Sequence, residues 1–162
     1  MKFRRSAPDV RPRRTPVGSL GIIKFMPKEI SAGAVVFRRG GEIKYLLLRY
    51  ESGHWDFPRG AIEFGEKEEE TVVREAKEET GIADLIFLPN FREKIFWFYK
   101  KEGQIIYKEA IFYLAETKTE EVKLSDEHID FKWLPYAEAM EQITFLNGKK
   151  VLEKANEFLL KL

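Results

Sequence analysis

The stretch Gly60–Ile82, GAIEFGEKEEETVVREAKEETGI, constrains this chain more than any other segment. Thr71 to Thr80 contains neither Gly nor Pro and is rich in helix formers, and Gly81 stands where a helix takes a left-handed C-terminal residue. At about 100° per residue, Glu75, Glu78 and Glu79 fall within an arc of roughly 100°. Val72, Val73 and Ala76 occupy the neighbouring arc and are expected to face the core. Three carboxylates thus crowd the border of a buried face, where like charges at i,i+3 and i,i+4 repel. A cation at that edge turns the repulsion into binding, and an oxygen-only donor set suits a hard ion, Mg²⁺ or Mn²⁺, rather than zinc. Arg74 flanks the arc, from where it can pair with Glu78 or orient a ligand. The preceding loop carries Phe57-Pro58-Arg59-Gly60 and Glu66, with Gly60 and Gly65 allowing close backbone approach or positive φ. A basic loop leading into an acidic helix fits a metal–polyphosphate site in which a carboxylate activates water. The competing reading is a solvated, salt-bridged helix in a chain whose residues are 34% charged.

The 162 residues suit one domain with a substantial core. Having no cysteine, the chain has no disulfide framework, thiolate metal site or Cys nucleophile. No apolar run approaches the ~18 residues of a membrane span, and no apolar stretch of signal-peptide type follows the basic N-terminus. The expectation is a soluble, cytoplasmic protein with no membrane partner. The net charge of +1 is uneven: Met1–Lys28 has eight Lys or Arg against one acid, +7, so the remainder carries 1 − 7 = −6. With Pro8, Pro12, Pro16 and Pro27, residues 1–28 read as a basic, proline-rich arm and 29–162 as the folded domain. The arm would suit nucleic acid or acidic lipid; a solvated tail, or an over-extended start ahead of Met26, are the plainer readings.

Along the chain, Ile30–Phe37 and Ile43–Tyr50 read as a hairpin, and Ile82–Leu88 as a strand. Lys94–Tyr99 and Gln104–Ala115 form a second hairpin turning at Lys101-Glu102-Gly103. Asp130–Leu134 is a short strand closed by Pro135. Tyr136–Phe145 reads as a helix stopped by Asn147-Gly148, and an amphipathic helix follows from Lys149. Strands on both sides of a central helix, with a helical end, give an α+β fold, helix against mixed sheet against helix.

The Gly60–Ile82 spacing matches the Nudix box of Nudix hydrolases. Seven identities are fixed, Gly60, Glu66, Arg74, Glu75, Glu78, Glu79 and Gly81; at average usage of roughly 0.06 each, chance is on the order of 10⁻⁹ per register. Ala76 stands where the family usually has a larger aliphatic residue. The resemblance implies the Nudix α/β/α sandwich with a mixed sheet. It extends to His54-Trp55-x-x-Pro58-Arg59-Gly60, similar to the HWxxPKG segment of asymmetrical diadenosine tetraphosphate hydrolases. Leu114-Ala115-Glu116, Leu124-Ser125-Asp126-Glu127-His128, Trp133-Leu134, Phe145 and Phe158-Leu159 resemble later landmarks of that group. The match covers roughly Ile30–Leu160. Arg59 replaces the usual Lys and binds phosphate as a fork rather than a point charge, and Ala61 stands where many relatives carry a polar residue.

The resemblance implies that Glu75, Glu78 and Glu79 hold the divalent ion, that Glu75, Glu79 or Glu66 takes part in catalysis, and that Glu127 adds an outlying acid. It makes His54, Arg59 and Gly60 phosphate-side residues. Lys108 stands near a phosphate-binding lysine position, or is simply an exposed edge-strand lysine. On a strand, Trp97 and Tyr99 share one face and Phe96 and Phe98 the other; Trp97, with Phe145, is the candidate base-stacking pair, or both are core. The implied activity is Mg²⁺-dependent asymmetric hydrolysis of dinucleoside polyphosphates, diadenosine tetraphosphate giving ATP and AMP. The alternatives are an RNA 5′-pyrophosphohydrolase or nucleoside-triphosphate pyrophosphatase, for which the basic arm would hold RNA, and a non-catalytic nucleotide-sensing module.

Overall fold

Residues 26–162 are described by the computed structural model; the expected arm as far as Phe25, including the apolar patch Leu20–Phe25, lies outside the described residues. The elements are β1 (Lys28–Arg38), β2 (Lys44–Tyr50), β3 (Trp55–Asp56), β4 (Arg59–Ala61), α1 (Glu68–Thr80), β5 (Ile86–Phe87), β6 (Glu93–Lys101), β7 (Gln104–Glu116), β8 (His128–Pro135), α2 (Tyr136–Gln142) and α3 (Leu146–Leu160).

One mixed sheet organises them. β1 runs parallel to β7 over Lys28–Phe37 against Tyr107–Glu116, and β6 and β5 pair antiparallel to the other side of β7. β2 pairs with β8 along its length. The first hairpin is joined only at its closed end, Phe37 to Tyr45 and Arg38 to Lys44. Beyond that the two strands splay, and residues 55–61 enter the gap. There β3 pairs to β2 (Leu48 to Asp56) and β4 to β1 (Ala32 to Gly60). The amide of Ala34 donates to the Pro58 carbonyl at 3.2 Å, which closes the crossing. This splay delivers the loop of Arg59 and Gly60 to the middle of the sheet.

Burial on both faces explains the unbroken apolar runs of β1 and β2. On one face Ala32, Ala34, Val36, Leu46 and Leu48 pack with Val72 of α1, Ile82 and Ala115. On the other, Val35, Phe37, Tyr45, Leu47, Phe112 and Leu114 pack with Ala139 of α2 and with Val151, Leu152, Ala155 and Leu159 of α3. The result is the expected helix–sheet–helix sandwich.

Several local expectations need correction. Val73 is 43% exposed rather than core-facing, because the buried stripe of α1 runs through Thr71, Val72, Ala76, Glu79 and Thr80. Of the expected strand 82–88, Ile86–Phe87 pair with β7 and the Leu88 amide donates to the Leu114 carbonyl at 2.9 Å, while residues 82–85 stay outside the sheet. The helix from Tyr136 ends at Gln142, and Asn147-Gly148 lie in the first turn of α3 instead of stopping a helix. Gly148 is buried close against Ile143, so its small size serves packing. Lys108 is not on an edge, since β7 is flanked by β1 and β6.

Gly33 makes the splay possible. A Cβ there would fall onto the Pro58 carbonyl oxygen and the Arg59 side chain, where the loop crosses β1. Overpacking costs typically 1–3 kcal/mol, and here one colliding group is backbone. Gly33→Ala is therefore expected to destabilise by about 2–3 kcal/mol or more, read as a drop in urea midpoint; an unchanged midpoint would show that the crossing yields.

Candidate active site

The acidic helix is tied to its loop by one arginine. Arg74 donates from Nε to Glu66 Oε2 at 2.8 Å, from Nη2 to Glu66 Oε1 and the Ala61 carbonyl at 3.0 Å each, and from Nη1 to Glu75 Oε1 at 2.7 Å and Glu78 Oε2 at 3.3 Å. Glu66 also accepts from the Thr71 hydroxyl and the Glu63 amide. The Arg74 hydrogen bonds, helped by that of Thr71, hold the Glu66 carboxyl down to about 2. Glu66 thus stays ionised and fixes Arg74, which in turn gathers Glu75 and Glu78.

Gly60 and Glu75 are in direct contact. A Cβ on Gly60 would coincide with the Glu75 carboxyl group, so the loop's glycine leaves the space that the carboxyl fills. The same Gly60 lines an open cleft, so Glu75 is one residue removed from that cleft.

Glu79 is 3% exposed, and burial, then the neighbouring Glu75, pushes its carboxyl up to about 9. Its Oε2 has no hydrogen-bond partner. The facing group is His128 Nε2 at 3.7 Å, also buried and unpartnered. The segment before β8 brings that histidine there: Lys123 donates its amide to the Thr80 carbonyl at 2.9 Å and Ser125 to the Glu79 carbonyl at 3.2 Å. Ser125 Oγ lies 3.0 Å from His128 Nδ1, and Tyr50 packs against the ring edge at 4.5 Å. Glu127 is exposed on the same turn, and its charge helps to raise the Glu79 carboxyl.

Among the described residues no three acidic or histidine side chains converge at ligating distance; Arg74 stands among the carboxylates. The donor set nevertheless fits a hard divalent cation. A buried carboxylate with an unpartnered oxygen lies beside Glu75, and Glu78 sits on the exposed rim within one helical turn. All the donors are oxygen.

The cleft has two lobes. A polar lobe of about 470 Å³ lies over Gly60, Ala61 and Ile62 and is walled by Lys28, Ser31 and Tyr50. A larger, more apolar lobe of about 820 Å³ is lined by Ile95, Trp97, Tyr99, Phe145 and Leu146. His54, Arg59 and Lys108 line both and mark their junction. Arg59 is braced there: Nε donates to Asp56 Oδ2 at 3.1 Å, Nη1 to Ser31 Oγ at 3.4 Å, and the guanidinium lies 5.3 Å from the Trp97 ring centre. Lys108 Nζ lies 5.8 Å from the same ring and 3.7 Å from Glu29. Burial, then Arg59, lowers the Lys108 ammonium from its usual range. His54 stacks on Tyr50 at 4.6 Å, with Nδ1 2.6 Å from Ser52 Oγ, and burial lowers its pKa.

The structure therefore gathers Glu66, Glu75 and Glu78 around Arg74, sets Glu79 beside Glu75, and puts His54, Arg59 and Lys108 at one junction. Trp97 and Phe145 both line the apolar lobe; Trp97 also packs against the core, and Phe145 is largely exposed. Tyr50, Asp56, Ser31 and His128 complete the site. Asp56 and His128 lie within or beside the motifs, whose spacing assigns neither a role; Tyr50 and Ser31 carry no sequence signal beyond strand composition.

A family model describing the NUDIX domain matches residues 27–155. The asymmetrical bis(5′-nucleosyl)-tetraphosphatase of Rattus norvegicus is 35% identical over 142 residues, covering 80% of this chain and 94% of that protein. The Caenorhabditis elegans enzyme of the same description is 32% identical over 135 residues, covering 80% and 95%. The crystal structure of a C. elegans Ap4A hydrolase binary complex superposes with a TM-score of 0.74 at 30% identity, covering 83% of this chain and 99% of that one. With the box, the splayed sheet and the acidic helix in place, this chain belongs to the Nudix hydrolase family, enzymes that hydrolyse pyrophosphate bonds.

Proposed function

We propose that this enzyme hydrolyses dinucleoside polyphosphates asymmetrically, taking diadenosine tetraphosphate to ATP and AMP. The observation that carries the reading is the junction of His54, Arg59 and Lys108 between a polar lobe over Gly60 and an aromatic lobe. A long polyanion capped by a base needs this arrangement: cations at the bend, carboxylates under one side and aromatic surface on the other. The similarity to asymmetrical tetraphosphatases supports it.

Arg59 enters with its fork held by Asp56 and Ser31, so little side-chain freedom is lost on meeting a phosphate. Lys108 and His54 add donors on either side. Trp97 and Phe145 offer a base π-surface. The residues that would hold a divalent cation, Mg²⁺ with Mn²⁺ as a substitute, are Glu75, Glu78 and Glu79, with Glu127 nearby. Bound there, the ion supplies charge neutralisation at phosphate oxygens and a more acidic water. The water oxygen adds to one phosphorus of the bridge, the anhydride P–O bond on its far side breaks with its electrons leaving on the departing nucleotide's phosphate, and the water's proton passes to the carboxylate of Glu75 or Glu79, while Glu66 takes part by holding Arg74.

Trp97→Ala is expected to raise KM for diadenosine tetraphosphate by about 5- to 150-fold, the equivalent of one lost base stack, with a smaller change in kcat. An unchanged KM would assign Trp97 to the core alone. The substrate class is tested by comparing kcat/KM for diadenosine tetraphosphate, ATP and 5′-triphosphate RNA on the full chain. The dinucleotide should be preferred over both. Preference for the RNA would favour the pyrophosphohydrolase alternative, and nucleotide binding without turnover the sensing module.

A further inference from the structure

β6 presents a second aromatic surface, on the face opposite Trp97. Lys94, Phe96, Phe98 and Lys100 alternate along that face, and Phe96 and Phe98 are each 56% exposed. Across the pair on β7, the Tyr107 ring lies 5.9 Å from Phe96 and 5.3 Å from Phe98. Lys28 of β1 completes the row, with Nζ 5.6 Å from the Tyr107 ring centre. Ile105 extends the apolar surface, also exposed. Among the described residues the one carboxylate set among these groups is Glu109, which accepts from the Tyr107 hydroxyl at 2.8 Å and meets Lys28 at 3.5 Å and Lys94 at 3.7 Å. Three lysines against one carboxylate leave 3 − 1 = +2 around three aromatic rings.

α1 does not cover this face: its buried stripe ends on Val72 and Ala76, over β1, β2 and the far end of β7. Pro27 and Lys28, which end the +7 stretch of the sequence, sit at this rim: Tyr107 donates its amide to the Pro27 carbonyl at 3.0 Å and Lys28 stands over Tyr107. Among the described residues, exposed aromatic rings on a sheet face with lysines at both ends suit one class of partner. Unpaired bases stack on such rings, whereas a duplex keeps its π-faces inside.

We propose that Phe96, Phe98 and Tyr107, with Lys28, Lys94 and Lys100, bind single-stranded nucleic acid, on a surface separate from the hydrolytic cleft. Bases stack on the rings while the lysines neutralise phosphates. The surface does not depend on the dinucleotide reading, because Trp97 and Tyr99 face the cleft from the other side of the same strand.

The test uses the full-length chain and a 5′-fluorescein, 12-nucleotide RNA, with the DNA of the same sequence and the RNA duplex as parallel probes, read by anisotropy. The single strands should bind more tightly than the duplex. Phe96→Ala combined with Phe98→Ala should weaken single-strand binding at least about tenfold, while diadenosine tetraphosphate hydrolysis stays unchanged and the protein stays folded. Lys94→Gln with Lys100→Gln should flatten the log Kd–log salt slope by about 1.4, two phosphate contacts at ~0.7 each. Unaltered RNA affinity in the phenylalanine double variant overturns the proposal. So does a phenylalanine-dependent dimer in sedimentation, which would make the face a self-association surface, or equal, phenylalanine-dependent binding to phosphatidylserine vesicles. Loss of hydrolysis together with binding would also overturn it, by merging the surface with the cleft.

Discussion

Glu79→Gln should lower kcat for diadenosine tetraphosphate by at least ~10²-fold while the protein stays folded, the size of loss typical of a group acting in the transition state. The exchange preserves shape and removes a charge at the one box carboxylate inside the buried stripe of α1, beside Glu75 and facing His128. Lys77→Gln on the exposed side of the same helix is the matched control and should be nearly silent. Equal losses in both would mean that helix stability is being measured. The same carboxyl sets a pH signature of the metal-free protein. Its folded pKa, about 9, lies above the unfolded value of 4.5. Its stabilising contribution is therefore fully present below about pH 4.5 and is lost as pH rises through about 9. In chelator the wild-type melting temperature should fall across that window, and the Gln variant should show a shallower fall. Parallel curves would place the proton elsewhere.

Gly60→Ala should be nearly as damaging to turnover, by ~10²-fold, for a different reason. The added methyl claims the space of the Glu75 carboxyl, which is the far end of a flexible side chain. Glu75 can rotate away at little cost to the fold, giving up its 2.7 Å bond from Arg74. The expected outcome is lost activity with a melting temperature within a few degrees of wild type. Gly33→Ala should show the reverse emphasis, because its methyl meets backbone. If Gly60→Ala retained full activity, the position of Glu75 against Gly60 would not matter to the reaction.

What the sequence made legible followed from local periodicity and fixed spacing. The helix, its left-handed Gly81 and the acidic arc were readable because 3.6-residue geometry is local. So were the two hairpins, and the opposite faces of Trp97 and Phe96. Other features are tertiary. The splay of β1 from β2 leaves no periodic trace, so neither Gly33 nor Ser31 stood out. Asp56 braces Arg59 from a position that the motif leaves unspecified. His128 reaches Glu79 only because residues 123–125 are hydrogen-bonded to the end of α1. Val73 was misplaced because arc arithmetic leaves both flanks of Val72 and Ala76 open; the sheet took the flank bearing Glu79, a residue whose charge argued against burial. That conflict between local chemistry and burial falls at the site itself, where such conflicts are expected.

The most direct measurement is hydrolysis of diadenosine tetraphosphate by the full chain in ¹⁸O-labelled water with Mg²⁺, with products separated and weighed. The account predicts ATP and AMP in equal amounts, a single ¹⁸O atom in one of the two, and no turnover in excess chelator. Two molecules of ADP as the products, or full turnover without a divalent ion, would contradict it.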